Sequence, residues 1–212
     1  MITYREATKE EIPYIAKLST VSFGNYPFFD FVFLDAFKQS KAYFSYLEKL
    51  HRIHIRANMK KHKCFVGIQN GRIVSTALLQ DPTGKRISVW DYIKAGAISL
   101  VVPVGFTKIL DFFDISEESH QDCAREYSTA WYLEMLAVDS SMKGCGLGSA
   151  MLNDCLIPYI KQQGGKEFTL ITNTEKNCKF YTKNGFHEFA ERTLERKGQK
   201  ISNWSFQCKI EG

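Results

Sequence analysis

The sequence predicts one mixed α/β domain spanning residues 1–212. An alternating strand-like start leads into a helix-like segment, an Asn70-Gly71 turn joins two apolar runs, and three glycines link a later apolar run to another helix-like segment. No internal repeat, low-complexity tract or linker-like stretch divides the chain. Hydrophobic residues make up 44% and charged residues 24% of it, which argues against disorder and against a coiled coil.

The N-terminal part predicts a strand, two helices and an aromatic loop. Ile2 to Ala7 alternates as a strand does, and Thr8 can cap a helix from Lys9 to about Ser22. The segment FGNYPFFDFVF (23–33) is interpreted as a loop dense in aromatic residues, and a long helix is expected from about Asp35 to Lys61.

The segment from Lys63 to Gln80 predicts a β-hairpin, because Asn-Gly is the strongest short turn signal between two apolar runs. Residues 81–129 are less regular, are expected to be mostly helical, and are interpreted as an insertion. Their apolar stretch, Ala95 to Phe113, contains Pro103 and two charged residues. It is therefore too short to span a bilayer, and a buried loop–helix segment is expected instead of a membrane contact.

The C-terminal part alternates strands and helices. The predicted elements are, in order, a strand (130–138), a helix (147–163) that Pro158 kinks, a strand (168–172), a short helix (175–183) closed by Gly185, and two strands about a Lys197-Gly198 turn.

Charge and cysteine content limit the classes of partner. The net charge of +5 suits a phosphorylated ligand, but it is too small and too dispersed to indicate nucleic acid. The six cysteines show no C-x-x-C pair and the first residues show no signal-peptide pattern, which favours reduced thiols in the cytoplasm.

His51 and His54 share a helix face without a third ligand nearby, so a solvated face is favoured there and no metal is expected.

The glycine run VDSSMKGCGLGSAML (138–152) is the strongest functional signal. It is not a Walker A loop, because Lys143 precedes the glycines, and its spacing and late position do not match the dinucleotide fingerprint. A strand, a short polar bend and glycines that open a helix form an anion site from backbone amides. A pyrophosphate would fit such a site.

At these residues the chain resembles the GNAT superfamily of N-acetyltransferases. Val138, Lys143, Gly146 and Gly148 match its acyl-coenzyme A signature, with lysine in place of the usual glutamine or arginine. The block CKFYTKNGF (178–186) resembles the late helix of the same family. The resemblance implies a mainly antiparallel sheet flanked by helices on both faces, with two parallel strands that splay apart to form a cleft for acetyl-coenzyme A.

The resemblance also implies which residues hold the co-substrate. Its pantetheine arm would lie along the strand that ends at Val138, and its pyrophosphate would rest on the amides from Lys143 to Ser149. The residues expected to bind it are Leu136, Ala137, Val138, Lys143, Gly144, Cys145, Gly146, Leu147, Gly148, Ser149, Asn173, Asn177 and Phe180.

Two residues are candidate catalysts. Tyr181 matches the frequent general acid of the family, although a tyrosine that only packs under the co-substrate is the alternative. Glu134 is a candidate general base, on the same strand face as Tyr132 and Leu136 by strict alternation; an exposed strand acid or a partner of an arginine is the alternative. Cys145 is interpreted as a loop spacer rather than as a nucleophile.

The aromatic segment after the first helix is expected to wall the acceptor site, with Tyr26, Phe28, Phe29 and Tyr132 as substrate contacts and Asp30 attracting a cationic amine. The alternative is that these rings only pack the core. The implied activity is acetyl transfer to a primary amine of a small molecule or peptide, by direct attack in a ternary complex and without a metal. A protein N-terminal or lysine acetyltransferase and a non-catalytic acyl-coenzyme A sensor are the alternatives, and a monomer or homodimer is expected.

Overall fold

A computed structural model describes residues 1–211 of the chain. Seven strands form one sheet: β1 (Thr3–Glu6), β2 (Lys63–Gln69), β3 (Arg72–Gln80), β4 (Trp131–Val138), β5 (Glu167–Thr172), β6 (His187–Arg196) and β7 (Gln199–Lys209). Their order is β1-β2-β3-β4-β5-β7-β6. The β4–β5 pair is parallel, and the five other neighbour pairs of this sheet are antiparallel within residues 1–211. The predicted sheet is thereby confirmed.

The helices lie between these strands. They are α1 (Ile12–Phe23, preceded by a 3₁₀ turn, Lys9–Glu11), α2 (Pro27–Phe33), α3 (Ser40–Asn58), α4 (Val89–Ala95), α5 (Ile98–Val104), α6 (Phe106–Glu126), α7 (Leu147–Ala150), α8 (Ile157–Gln162) and α9 (Glu175–Lys183). The region of residues 81–129 that the sequence predicts to be mostly helical contains α4, α5 and α6, which we call the inserted helices; that the region is an insertion stays a prediction. The turn of the predicted hairpin is confirmed, since Asn70 and Gly71 both have positive φ.

The aromatic segment is not a loop, as the sequence interpretation expected, but the helix α2. Pro27 occupies its first turn, where the missing N–H of proline leaves no hydrogen bond unmade and its fixed φ suits the helix. The long helix that follows begins at Ser40 rather than at Asp35, because a short 3₁₀ turn, Leu34–Ala36, intervenes.

Pro158 follows a segment in which the helix changes from α-helical to π-helical geometry. A π-helical segment, Met151–Leu156, joins α7 to α8, and its end is closed by a bond from Ile157 N–H to Leu152 O. Pro158 stands in the first turn of α8, where its lack of a donor is tolerated. The predicted kink therefore takes the form of a π-helical segment.

Apolar clusters cover both faces of the sheet. The cluster on one face packs sheet residues such as Phe168 and Phe206 against the α7–α8 segment, represented by Leu152 and Ile160. A cluster on the other face packs residues of β2, β3 and β4 against α1 and α3. A third cluster joins α2 and α3 to the inserted helices. Burial of these side chains is the main stabilising term, at about 1.5–3 kcal/mol for each large apolar side chain.

The inserted helices are only partly buried, which corrects the expected buried loop–helix segment. Leu100, Ile109 and Ile115 lie in the third cluster, whereas Val102 and Phe106 are exposed. None of the helices described in residues 1–211 is both long and apolar enough to cross a membrane.

An ion pair fixes α6 to the edge strand β6 and gives a test of the packing. Asp122, whose side chain is 6% exposed, accepts two hydrogen bonds from Arg192 at 2.9 and 3.0 Å. Replacing Arg192 with methionine is expected to destabilise the protein by about 3 kcal/mol, because a buried carboxylate loses its main partner. Denaturant unfolding at neutral pH measures this change.

The matched control is Arg196→Met, which removes a similar ion pair with Glu118 between the same two elements at a more exposed position. We expect it to cost less than about 1 kcal/mol. Because Arg192 lowers the pKa of Asp122, the stability that this pair contributes should be present above about pH 4 and be lost at lower pH. Equal losses for the two variants, or a loss for Arg192→Met that does not depend on pH, would contradict the prediction.

Candidate active site

The three glycines of the loop after β4 are required for different reasons. Gly144 and Gly146 have φ values of +87° and +76°, a region that side-chain-bearing residues adopt with strain. Gly148 lies in the first turn of α7, where a Cβ atom would stand 2.9 Å from the ring of Phe180. The loop therefore needs glycine for its backbone path and for close contact between α7 and α9.

The backbone amides of this loop are available to a ligand. Within residues 1–211, the N–H groups of Gly146, Leu147, Gly148 and Ser149 make no hydrogen bond, whereas that of Cys145 donates to Met142 O at 3.2 Å. The stretch from Lys143 to Gly146 is exposed. Four free N–H groups at the start of a helical segment, beside a lysine, have the arrangement that an anion site needs, and their binding of an anion remains a prediction.

The parallel strands β4 and β5 separate soon after they begin. Only Trp131 with Phe168 and Tyr132 with Thr169 are paired, and beyond them β4 pairs with β3 alone. The edge of β4 that faces β5 is thus without a strand partner from Leu133 to Val138. This is the cleft in which the resemblance places the pantetheine arm, along Leu136, Ala137 and Val138, and that binding role remains a prediction.

A β-bulge at Glu134 changes the alternation of β4. Leu79 pairs with Leu133 and Leu78 with Met135, so Glu134 is the extra residue. Met135 packs in the cluster of α1 and α3, whereas Leu136 packs against the cluster on the opposite face. The expectation that Leu136 shares a face with Tyr132 and Glu134 is therefore wrong, because the bulge shifts the register by one residue.

A cavity of about 1080 Å³ lies where β4 and β5 part. Its walls come from both strands, from the segment between α1 and α2, from α3, and from the inserted helices. The predicted residues that border it are Tyr26, Phe28, Phe29, Tyr132, Glu134, Leu136, Asn173, Asn177 and Tyr181. The structure thus brings together the expected catalytic and acceptor residues, whose roles remain predictions.

The carboxylate of Glu134 lies at the centre of a polar cluster. It accepts a hydrogen bond from Gln80 Nε2 at 2.8 Å, and its other oxygen stands 3.1 Å from His54 Nε2. The Nε2 atom of His120 is 3.6 Å from Oε2. Burial by itself would raise the pKa of Glu134, but the two histidines outweigh it and hold the pKa below its ordinary value.

The histidines of α3 face the protein rather than solvent, which corrects the sequence interpretation. His51 is 2% exposed, its Nδ1 stands 3.0 Å from Thr20 Oγ1, and burial, aided by the nearby His54, lowers its pKa to about 3. His54 lies between Glu134 and the hydroxyl of Tyr92, with 3.1 Å to each. Among residues 1–211, no three His, Cys, Asp or Glu side chains are grouped as metal ligands would be.

Tyr181 projects from α9 into the core and borders the cavity. Its ring packs against those of Phe180, Phe186 and Phe206, with centroids 5.1, 5.7 and 6.1 Å away. Burial, with a smaller effect from Tyr26, raises its pKa well above the ordinary value. The phenol therefore remains protonated at neutral pH, as a proton donor must.

Tyr26 ties the segment between α1 and α2 to the end of β5. Its hydroxyl accepts a hydrogen bond from Asn173 N–H at 2.9 Å and stands 3.1 Å from Thr172 Oγ1, which also accepts from Asn177 Nδ2 at 3.0 Å. The side-chain amide of Asn173 donates to Ser202 O at 2.9 Å. Tyr26 and Asn173 thus have structural roles that the sequence reasoning missed.

The aromatic residues of α2 both pack and line the cavity. Phe28 packs against Phe112 of the inserted helix α6, and Phe29 packs edge-on against His51 at 5.1 Å. Asp30 instead accepts a hydrogen bond from Tyr43 at 2.7 Å and lies outside the cavity lining. The expectation that Asp30 attracts the acceptor is therefore wrong.

The partners of Glu134 were not predicted from the sequence. Gln80 ends a hairpin strand, His54 had been assigned to a solvated face, and His120 lies in the insertion. No local pattern indicates that these three segments meet, because their proximity depends on the pairing of β3 with β4 and on how α3 and α6 pack against the sheet.

Comparison with known proteins agrees with this geometry. Residues 95–188 match the family described as acetyltransferase (GNAT) domain. No curated protein sequence matches the chain. A histone acetyltransferase HPA2 and related acetyltransferase from Corynebacterium glutamicum superposes with a TM-score of 0.66 at 21% identity, over 100% of this chain and 97% of the other.

Two further solved structures share the fold. The Drosophila melanogaster polyamine N-acetyltransferase, which forms N-acetylagmatine, has a TM-score of 0.60 at 15% identity, over 99% of this chain and 100% of the other. The ribosomal-protein-S18-alanine N-acetyltransferase from Escherichia coli has a TM-score of 0.56 at 14% identity, over 100% and 96%. The family match and these folds confirm the resemblance on which the sequence interpretation rests.

Proposed function

We propose that this chain, of which residues 95–188 match the acetyltransferase (GNAT) domain, transfers an acetyl group from acetyl-coenzyme A to a primary amine of a small molecule or peptide, by direct attack in a ternary complex. One combination of features at β4 supports the proposal. The edge of β4 that faces β5 has no strand partner beyond Tyr132, the loop after β4 has free backbone N–H groups, and Glu134 and Tyr181 line the cavity beside them.

The residues present fit a diphosphate-bearing thioester. The amides from Gly146 to Ser149 would bind the pyrophosphate, and Lys143 adds a positive charge. Gly144 and Cys145 shape the loop, while Leu147 and Phe180 hold the start of α7 in place. When bound, the co-substrate supplies an activated acetyl group.

Two side chains act on the reacting groups. Tyr181 donates a proton to the departing sulfur, for which its raised pKa keeps it protonated. Glu134 provides the negative charge that attracts an ammonium group and belongs to the cluster that removes its proton. Glu134 has three polar neighbours and a lowered pKa. Its carboxylate acting alone is therefore a weaker base than the sequence predicts.

The cavity walls favour a small acceptor. The inserted helices contribute Tyr92, Phe112 and Phe113 to the cavity lining, together with Phe28 and Phe29 of α2. An aromatic lining of this kind suits a compact amine with apolar surface better than an extended peptide. The protein acetyltransferases among the similar folds keep a protein N-terminus or a lysine as the alternative acceptor. The six free cysteines are consistent with a cytoplasmic location, and the choice between monomer and homodimer stays a prediction.

Acetyl-coenzyme A is expected to stabilise the protein and to release free thiol when a suitable amine is added. At 100 times its dissociation constant, a ligand of the native state contributes about 2.7 kcal/mol, which raises the melting temperature by several degrees. Differential scanning fluorimetry measures the first effect. A thiol reagent measures the second, with phenethylamine, agmatine, spermidine and a lysine peptide as acceptors.

The outcomes separate the classes of function. Thiol release only with the peptide would favour the protein acetyltransferase. Stabilisation without turnover on any amine would favour a non-catalytic acyl-coenzyme A sensor. If acetyl-coenzyme A did not stabilise the protein, the proposed function would be wrong.

A further inference from the structure

We infer that His120, on the inserted helix α6, accepts the proton of the acceptor amine, and that Glu134 holds the ammonium group beside it. The inference rests on the proposed function and deepens it. It assigns a catalytic residue to the insertion, whereas the sequence reasoning placed the base on β4.

The hydrogen bonds of His120 fix which of its ring nitrogens can accept. Its Nδ1 contacts the carbonyl oxygen of Ser116 one turn earlier in α6, with the hydroxyl of Ser119 3.2 Å away. A carbonyl oxygen only accepts, so Nδ1 must carry a proton. In the neutral ring the free lone pair is therefore on Nε2, the atom that faces Glu134.

The space between His120 and Glu134 suits a donor from the ligand. The separation of 3.6 Å from Nε2 to Oε2 is too long for a hydrogen bond, and two acceptors cannot bond to each other. Gln80 already donates to Oε2, and His54 contacts Oε1. A carboxylate oxygen has two lone pairs, so Oε2 can accept a second hydrogen bond. An ammonium group at the cavity wall would donate to Oε2 and to Nε2 together.

His120 is also better matched to proton removal than Glu134. Its side chain is 34% exposed at the cavity, against 14% for Glu134. Burial by itself would lower the pKa of His120, but the carboxylate of Glu134 outweighs it and raises that pKa. A histidine whose pKa is raised is a stronger base than a carboxylate whose pKa is lowered, so it takes the proton of the amine more readily.

The charged and titratable neighbours of His120 are few. On β4, Glu134 faces His120, and the ring of Tyr132 packs against its imidazole with the two ring centroids 4.9 Å apart. On α3, His54 contacts the other oxygen of the same carboxylate. Tyr132 is neutral at ordinary pH, because burial raises its pKa well above the usual value. Glu134 therefore sets the charge state of His120.

The protons and bonds balance as follows. One proton passes from the ammonium nitrogen to His120 Nε2, and the freed lone pair forms a bond to the carbonyl carbon of the thioester. The carbon–sulfur bond breaks, and the sulfur takes a proton from the hydroxyl of Tyr181. The second proton that the nitrogen loses passes to the Tyr181 oxygen and restores its hydroxyl. The products are the N-acetyl amide and the thiol of coenzyme A, and His120 returns its proton to water.

Histidine NMR titration of the free protein tests the charge state without turnover. With ¹³Cε1-labelled histidine, the resonance of His120 is the one that is missing from the spectrum of His120→Gln. In the wild type this resonance should titrate with a pKa above the ordinary histidine value of about 6.5. In Glu134→Gln the same resonance should titrate at lower pH, because the anion that favours the imidazolium is gone. Titration at or below the ordinary value in the wild type, or no change in Glu134→Gln, would overturn the inference.

Kinetics test the proton transfer itself. The probes are phenethylamine, or the best acceptor of the panel, and its β,β-difluoro analogue. The two fluorines withdraw electrons from the nitrogen and lower its pKa, so that a large fraction of this amine is neutral at neutral pH. His120→Gln should lose about 100-fold in kcat/KM with the charged amine and only a few-fold with the neutral one. His187→Gln, at an exposed position on β6, is the matched control and should change neither value.

The pH profiles distinguish the two candidate bases. Glu134→Gln should move the acid limb of kcat/KM to lower pH, whereas His120→Gln should remove that limb. Equal losses with both amines, or an acid limb that only Glu134→Gln removes, would overturn the role of His120 while leaving the proposed function intact. Absence of thiol release with every amine would instead remove the proposed function, and this role with it.

Discussion

Replacing Tyr181 with phenylalanine is expected to lower kcat about 100-fold and to leave acetyl-coenzyme A binding almost unchanged. The ring lies in a packed cluster with Phe180, Phe186 and Phe206, and phenylalanine keeps that packing. Only the hydroxyl is lost, and with it the proton for the departing sulfur. Because this interaction is made in the transition state, kcat and kcat/KM should fall together.

The pH profile gives a second reading of the same variant. Burial raises the pKa of Tyr181, so its hydroxyl stays protonated throughout the range in which the enzyme can be assayed. The wild type should therefore show no alkaline loss of activity from this group below about pH 10, and the rate deficit of Tyr181→Phe should not depend on pH in that range. Initial rates of thiol release measure both.

Tyr159→Phe is the control for the loss of a tyrosine hydroxyl in the same apolar cluster. Tyr159 packs against Phe65 and Trp131 and does not border the cavity. This variant should keep the wild-type kcat. If Tyr181→Phe retained the wild-type rate of the chemical step, Tyr181 would be a packing residue, which is the alternative that the sequence left open.

Much of the fold could be predicted because its signals are local. The Asn70-Gly71 turn and the glycines that start α7 depend on backbone preferences within a few residues. The mainly antiparallel sheet with one parallel pair was predicted from the family resemblance instead. The segment of α2 was misassigned for the same kind of reason. Its aromatic side chains suggested a loop, whereas Pro27 is equally suited to the first turn of a helix.

The candidate site was predicted less completely because part of it is not local. Glu134 and Tyr181 follow from motifs, and the structure places both at one cavity. The bulge that moves Leu136 to the other face depends on pairing with β3, which a single strand does not encode. His54 and His120 reach Glu134 only because α3 packs against β2 and β3 while α6 packs against β5, β6 and β7, so that the two helices approach β4 from its two sides. This tertiary arrangement has no sequence period.

Replacing Gly146 with valine is expected to weaken acetyl-coenzyme A binding at least 10-fold. Gly146 has a φ of +76° at the start of α7, and a β-branched residue adopts that conformation at a cost of about 1–2 kcal/mol. Relief of this strain turns the peptide unit and moves the free N–H groups of Gly146 and Leu147 away from a shared anion. Isothermal titration calorimetry with acetyl-coenzyme A, and the thermal shift it induces, measure the loss.

Gly198→Val separates the binding effect from backbone strain. Gly198 has a φ of +77° in the β6–β7 turn, and no atom lies within 4 Å of a Cβ atom built at either glycine. The two variants should therefore lose similar stability without ligand, while only Gly146→Val loses affinity. Unchanged affinity in Gly146→Val, with the expected loss of stability, would mean that these amides do not hold the pyrophosphate. The assignment of the loop after β4 as the site for acetyl-coenzyme A would then be wrong.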